Sequence, residues 1–137
     1  MDRFYMKSQI VRPKIILADD HPVMRRGMVM LVGAIAAKLG INPQIDEVSG
    51  GVDLVKRVCS GNYQIAFTDI SMPDLNGLEA IRQIRATRNK TPIYACSTHD
   101  SDTYEIPTIQ AGATGYIQKG TQRDEKKLEE ALRAHLL

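Results

Sequence analysis

The stretch Gln64 to Gly77, QIAFTDISMPDLNG, constrains the fold more than any other part of this chain. Its apolar run, Ile65, Ala66 and Phe67, delivers one carboxylate, Asp69, and then breaks at Pro73-Asp74 and Asn76-Gly77. A short apolar run that stops at turn signals reads as a buried strand ending in a loop. Asp69 therefore stands at the carboxyl end of a strand. In open α/β sheets the crevice beyond those ends is where ligands bind, so Asp69 is placed where chemistry can reach it.

The rest of the chain repeats this alternation. Lys14 to Ala18 is a continuous apolar run stopped by two adjacent acids, Asp19 and Asp20, as expected for a central strand covered on both faces. His21-Pro22 opens a helix, because proline at the first helical position lacks only a donor that would be unpaired there. Met24, Met28, Leu31, Ile35 and Leu39 form its apolar stripe, with Arg25 and Arg26 on the solvent face, and Gly40 ends it. Gln44 to Val48 is a short strand. Gly50-Gly51 turns into a helix over 52–60 with Val52, Val55 and Val58 or Cys59 inward, ended by Gly61-Asn62. Gly77 opens a helix carrying Leu78, Ile81, Ile84 and Arg85, and Thr91-Pro92 stops it. Ile93 to Cys96 is the fourth strand, leading to Ser97. The helical rhythm of 99–112 contains Pro107, which removes a backbone donor, so a short, bent or broken helix is expected there. Gly115 to Gln118 is the fifth strand, ending at Lys119. A last helix runs from Thr121, with Asp124 as its capping partner, to about Leu136, with Leu128, Ala131, Leu132 and His135 or Leu136 inward. Five strands alternating with five helices imply an α/β fold, a doubly wound five-stranded parallel sheet.

At 137 residues the chain suits one domain. Residues 1–12 read as a lead-in and 13–137 as the domain itself. A net charge of +2 is too mild to argue for direct contact with nucleic acid or a membrane. No apolar run approaches the roughly 20 residues of a membrane span. Cys59 and Cys96 show no metal-ligand spacing and read as buried, reduced thiols of a cytoplasmic protein.

If the strands share one sheet, the residues past their ends gather: Asp19 and Asp20, Asp69, Ser97 and Lys119. Three carboxylates crowd together only with a counter-charge. Mg²⁺ supplies one, since it favours oxygen ligands and keeps positions for water or a phosphoryl oxygen. Such a set suits in-line attack of a carboxylate, Asp69, on phosphorus.

Leu-Ala-Asp19-Asp20-His21-Pro22, Thr-Asp69-Ile-Ser-Met72-Pro73-Asp74-Leu-Asn-Gly77, Ser97 and Gly112-Ala-Thr-Gly115-Tyr116-Ile-Gln-Lys119 together resemble the receiver domain of bacterial two-component response regulators. The Asp-Asp-His-Pro start resembles in particular the subfamily whose receivers precede a LuxR-type DNA-binding domain. The resemblance implies a flavodoxin-like (βα)5 fold with Asp69 as phospho-acceptor, served by a sensor histidine kinase or a small donor such as acetyl phosphate. It implies Mg²⁺ held by Asp19, Asp20, Asp69 and the Ser71 backbone carbonyl. Ser97 becomes the switch hydroxyl, Tyr116 the aromatic that turns inward with it, and Lys119 the cation that pairs with the phosphoryl group. The fourth helix, fifth strand and fifth helix become an output and homodimerisation face. DNA would be reached only through an output domain absent from these residues, in a phosphorelay that regulates transcription.

The sequence departs from that pattern at Gly120, where proline is common, at Pro107, and at Thr98, which is bulkier than usual. His99 lies where the family tunes loss of the acyl phosphate. Three other readings compete. A Mg²⁺-dependent aspartyl phosphohydrolase needs a general acid two residues after the nucleophile, where Ser71 stands, so no enzyme with more than slow self-dephosphorylation is expected. A flavodoxin-like cofactor binder would want Ser, Thr and Gly after the first strand, where Asp19 and Asp20 stand. A phosphate-independent interaction module is the third.

Overall fold

The computed structural model describes residues 12–120 and 124–137. Five strands, β1 (Lys14–Ala18), β2 (Gln44–Val48), β3 (Ile65–Thr68), β4 (Ile93–Ser97) and β5 (Gly115–Gln118), alternate with five helices. The helices are α1 (Pro22–Lys38), α2 (Gly51–Ser60), α3 (Gly77–Ala86), α4 (Ser101–Ala111) and α5 (Asp124–Leu136). All pairings are parallel, in the order β2-β1-β3-β4-β5. That order reverses direction between β1 and β3, which is where flavodoxin-like sheets open a crevice.

The continuous apolar strands are explained by burial on both sides. Ile15, Leu17, Ile65 and Phe67 point to the layer of α1 and α5, where they meet Val32, Ile35, Leu128 and Leu132. Their neighbours Ile16, Ala18 and Ala66 point the other way, to Leu54, Val58, Ile81 and Ile84 of α2 and α3. A third, smaller cluster of Ile70, Ala95 and Tyr116, with Leu78 and Tyr104 against it, packs beside the carboxyl ends of β3 to β5.

Several expectations change. In α1 the buried residues are Met28, Val32, Ile35 and Ala36, whereas Met24 is 46% exposed because the first turn overhangs the crevice. In α2 the inner face is Gly51, Leu54 and Val58; Val52 and Cys59 are exposed. The reason is rotational. The N–H groups of Gly51 and Val52 are both fixed by the Asp74 carboxylate, which turns Leu54 rather than Val52 to the sheet. Only Cys96 is a buried thiol, and burial pushes its pKa up to about 12.

Proline 107 does not break α4, which runs unbroken over Ser101–Ala111. Proline costs a helix interior roughly 3 kcal/mol, and tertiary contacts offset it. Thr108 and Ala111 are buried, Gly112 closes the helix in the left-handed conformation (φ 114°), and Arg85 Nε donates to the Gly112 carbonyl at 2.8 Å. The expected start of the last helix at Thr121 lies outside the described residues, as do residues 1–11 of the lead-in. Arg12 donates to the Asn42 and Pro43 carbonyls at 3.0 and 2.8 Å.

Candidate functional site

β1 and β3 lie side by side with Ala18 opposite Thr68, so the residues that follow them emerge together. The ladder continues one step further. Asp69 N–H donates to the Ala18 carbonyl at 2.9 Å, and Asp19 N–H to the Val48 carbonyl at 3.1 Å. Both acids thus leave the sheet with fixed backbones. Ligand atoms of Asp19, Asp20, His21 and Asp69 all lie within 4.8 Å of one another. From the opposite side, Lys119 N–H donates to the Ser97 carbonyl at 2.7 Å, and Lys119 Nζ stands 3.5 Å from Asp19 Oδ2. Asp19, Asp69, Ser71, Ser97, Thr98, His99 and Lys119 are among the walls of a cleft of about 210 Å³.

The loop after β3 is held close by glycine. Gly77 N–H donates to the Ile70 carbonyl at 2.7 Å, and a Cβ on Gly77 would stand 2.1 Å from the Asp69 carbonyl oxygen. Asn76 Oδ1 accepts the Glu79 N–H at 2.9 Å and caps α3. Asp69 Oδ1 accepts the Ile70 N–H at 2.8 Å, while no described donor reaches Oδ2. Burial pushes the Asp69 carboxyl above the ordinary carboxylate value. The Lys119 ammonium pulls it back, and the Asp19 and Asp20 charges push it further up.

These residues suit a hard divalent cation. Asp20 Oδ1 is buried without a hydrogen bond; His21 Nδ1 lies 3.2 Å away but outside hydrogen-bonding geometry. A buried carboxylate oxygen left in this way is costly unless a cation reaches it. The surrounding carboxylates are the hard oxygen donors that Mg²⁺ prefers.

His99 ties the far wall together. Its N–H donates to Ser97 Oγ at 3.1 Å, and its carbonyl accepts the Tyr116 hydroxyl. Its ring stacks on Tyr104 at 4.6 Å, with Nε2 3.3 Å from Ser71 Oγ. Ser97 and Tyr116 are both buried. Thr98 stays exposed on the rim.

Sequence reasoning brought Asp19, Asp20, Asp69, Ser97 and Lys119 together, and the structure does the same. It missed Arg25, which is not on the solvent face. Arg25 Nη1 donates to the Asp19 carbonyl at 2.8 Å, and its Nε to Glu47 Oε1 at 3.1 Å. Arg26 also reaches Glu47. The signal was Glu47 on the neighbouring strand, legible only once the strand order is known. His21, read only as part of the helix opening, joins the acidic group, and Asp74, read as a turn residue, reaches across to α2.

The sequence model for the response regulator receiver domain matches residues 15–133. The chain belongs to this family. It is a receiver domain of two-component response regulators. The receiver domain is 32% identical over 129 residues to the transcriptional regulatory protein YdfI of Bacillus subtilis, covering 90% of this chain and 57% of that protein. It is 34% identical over 109 residues to the DNA-binding transcriptional activator DevR/DosR of Mycobacterium tuberculosis, covering 77% and 47%. It thus spans about half the length of the curated relatives it matches. Among solved structures, a LuxR-family response regulator from Aurantimonas sp. SI85-9A1 superposes with a TM-score of 0.77 at 25% identity, covering 90% of this chain and 84% of that one. The receiver domain of the sensor histidine kinase PA1611 from Pseudomonas aeruginosa, with magnesium in its cleft, gives 0.74 at 23% identity, covering 92% and 98%. Among the described residues, no helix of the receiver domain is long and apolar enough to cross a membrane.

Proposed function

We propose that Asp69 is the phospho-acceptor of this receiver, taking a phosphoryl group from a sensor histidine kinase or from acetyl phosphate in the cytoplasm. The observation that carries this reading is the convergence of Asp69 with Asp19 and Asp20 inside 4.8 Å, on a cleft that Lys119 also lines. Asp69 Oδ2, which no described donor holds, attacks the phosphorus. The bond from phosphorus to the donor breaks and the donor leaves with its electron pair, so Asp69 becomes an acyl phosphate. Mg²⁺ bound by Asp19, Asp20, Asp69 and the Ser71 carbonyl would supply charge neutralisation between the carboxylates and the incoming phosphoryl oxygens.

The residues opposite then read the product. Ser97 Oγ accepts the His99 N–H and bonds the Tyr116 side chain, and its hydroxyl hydrogen turns from Tyr116 to a phosphoryl oxygen. Lys119 exchanges Asp19 for the added negative charge. Movement of Ser97 pulls on His99 and, through its carbonyl, on Tyr116. Tyr116 lies on β5 beside α4, where Ile106 and Ile109 are 65% and 44% exposed. That supports α4, β5 and α5 as the face that forms a homodimer or carries the signal to a DNA-binding segment beyond these residues. Among the described residues, no acid or base follows Asp69 at Ser71 to speed turnover, which favours an acceptor over a phosphohydrolase.

The test is the intact mass of the purified chain after incubation with acetyl phosphate and Mg²⁺, beside Asp69→Asn and a chelated control. One phosphoryl adduct that requires both Asp69 and Mg²⁺ is the expected result. Absence of the adduct, together with no binding of beryllofluoride, would instead leave a phosphate-independent interaction module.

A further inference from the structure

Ser71 sits in a loop whose far end is moored to a different helix. Asp74 Oδ1 accepts the Gly51 N–H and Asp74 Oδ2 the Val52 N–H, each at 3.1 Å. These are the first two residues of α2, and its own N-cap position is Gly50, which has no side chain to offer. The donors at a helix start are ordinarily satisfied by the residue just before it. Here they are satisfied by a residue from the loop that carries Asp69 and Ser71.

The contact is built for close approach. A Cβ on Gly50 would stand 2.6 Å from Asp74 Oδ2, and one on Gly51 would stand 2.2 Å from the Leu75 carbonyl oxygen. The Val52 and Gly51 N–H groups hold the Asp74 carboxyl below the ordinary carboxylate range, against a smaller opposing effect of burial. α2 itself is fixed to the sheet by Leu54 and Val58, both fully buried. A loop tied to it inherits a rigid reference.

We infer that Asp74 is a positioning residue for the metal: by mooring the β3–α3 loop to the start of α2, it holds the Ser71 carbonyl in place beside Asp69 and Asp20. This rests on the proposed Mg²⁺ site. An untethered loop presents its carbonyl correctly only part of the time, and the apparent affinity falls by that fraction. Groups that orient metal ligands typically change metal affinity by 10- to 100-fold. Asp74 acts through two intervening loop residues, Met72 and Pro73, so the change expected is smaller, roughly three- to tenfold.

Calorimetric titration of Mg²⁺ into the metal-free chain tests this with the wild type, Asp74→Ala, Asp74→Asn and the double variant Gly50→Ser/Asp74→Ala. The three atoms nearest a Cβ at Gly50 all belong to Asp74, and the Gly50 backbone is extended (φ −162°). Serine therefore fits once Asp74 is shortened, and it gives α2 a cap of its own. The expected result is weakened Mg²⁺ binding in Asp74→Ala, an intermediate value in Asp74→Asn, and a double variant whose melting temperature recovers while its Mg²⁺ affinity does not. Wild-type affinity in the double variant would reduce Asp74 to a helix cap and overturn the inference. If Asp74→Ala does not fold, the double variant decides alone. A wild-type chain that binds no Mg²⁺ would overturn the functional reading as well, whereas equal binding by all four proteins would overturn this inference only.

Discussion

Lys119 gives its ammonium to Asp19 rather than to Asp69: the salt bridge closes at 3.5 Å on Asp19 Oδ2. Asp19 and Lys119 are both largely buried, with side chains 7% and 15% exposed, so neither is cheaply left alone. Lys119→Met removes the cation that faces three carboxylates. Removing one partner of a buried pair typically costs 3–5 kcal/mol; with the cleft open on one side, about 1–3 kcal/mol is expected. Urea unfolding of the metal-free protein measures it, and Mg²⁺ should restore more stability to the variant than to the wild type.

Asp69→Asn should make the metal-free protein more stable at neutral pH, raising its melting temperature by a few degrees. The sign follows from the raised carboxyl pKa. The folded state holds the Asp69 proton more tightly than the unfolded chain, so the charged form costs stability above the folded pKa. That cost shrinks as pH falls through the folded pKa, and it vanishes below the unfolded value of 3.8. Thermal melts across acidic to neutral pH should therefore converge at the acid end. A variant less stable than the wild type at neutral pH would contradict this.

Tyr94 and His135 are joined between their hydroxyl and Nε2 at 2.9 Å. Burial holds the imidazole pKa below 6.5, so the folded state favours neutral His135. The stability involved is present above 6.5 and is lost as pH falls from there through the folded pKa. His135→Gln should flatten the difference in unfolding free energy between about pH 7.5 and about pH 5.5. An unchanged difference would show that His135 does not carry it.

The rotation of α2 can be read by truncation. Leu54→Ala should cost about 2–5 kcal/mol, as for a fully buried leucine. Val52→Ala, at 49% exposure, should stay within about 0.5 kcal/mol in chemical denaturation. Comparable losses at the two positions would mean that the helix faces the sheet differently.

Gly77→Ala places a methyl carbon 2.1 Å from the Asp69 carbonyl oxygen, a backbone atom that cannot swing aside. Overpacking of this kind typically costs 1–3 kcal/mol. Loss of phosphorylation should accompany the loss of stability, because the displaced atoms belong to the acceptor's own peptide.

β1, β3 and β4 were legible in the sequence because each is built on a short apolar run ended by polar residues, and two-sided burial leaves no other home for a run such as Ile15-Ile16-Leu17, whereas β2, Gln-Ile-Asp-Glu-Val, is only partly buried and its signal is correspondingly weak. The acidic group was legible for the same reason, since chemistry in a parallel sheet collects at the strand ends. Helix rotation was less accessible. Val52 and Leu54 are both apolar, and the choice between them follows from the hydrogen bonds that the Gly51 and Val52 N–H groups donate to the Asp74 carboxylate, more than twenty positions away. Arg25 shows the same limit, because its partner Glu47 belongs to a strand adjacent in space but separated in the chain. Pro107 misled in the opposite sense. Its local penalty is real, and the Thr108 hydroxyl is buried without a partner, but burial of Ala111 and the grip of Arg85 on Gly112 hold the helix together.

The interlock of Gly50 with Asp74 also bears on how this sequence can vary. Neither residue can change freely while the other stays. A side chain at position 50 meets the carboxylate at 74, and a shortened residue 74 leaves α2 without its cap. The workable order is to shorten residue 74 first and then install serine, threonine or asparagine at position 50, passing through a weakened intermediate. Two positions in separate segments are thereby coupled, and the stability changes of substitutions at 50 and 74 are expected not to add.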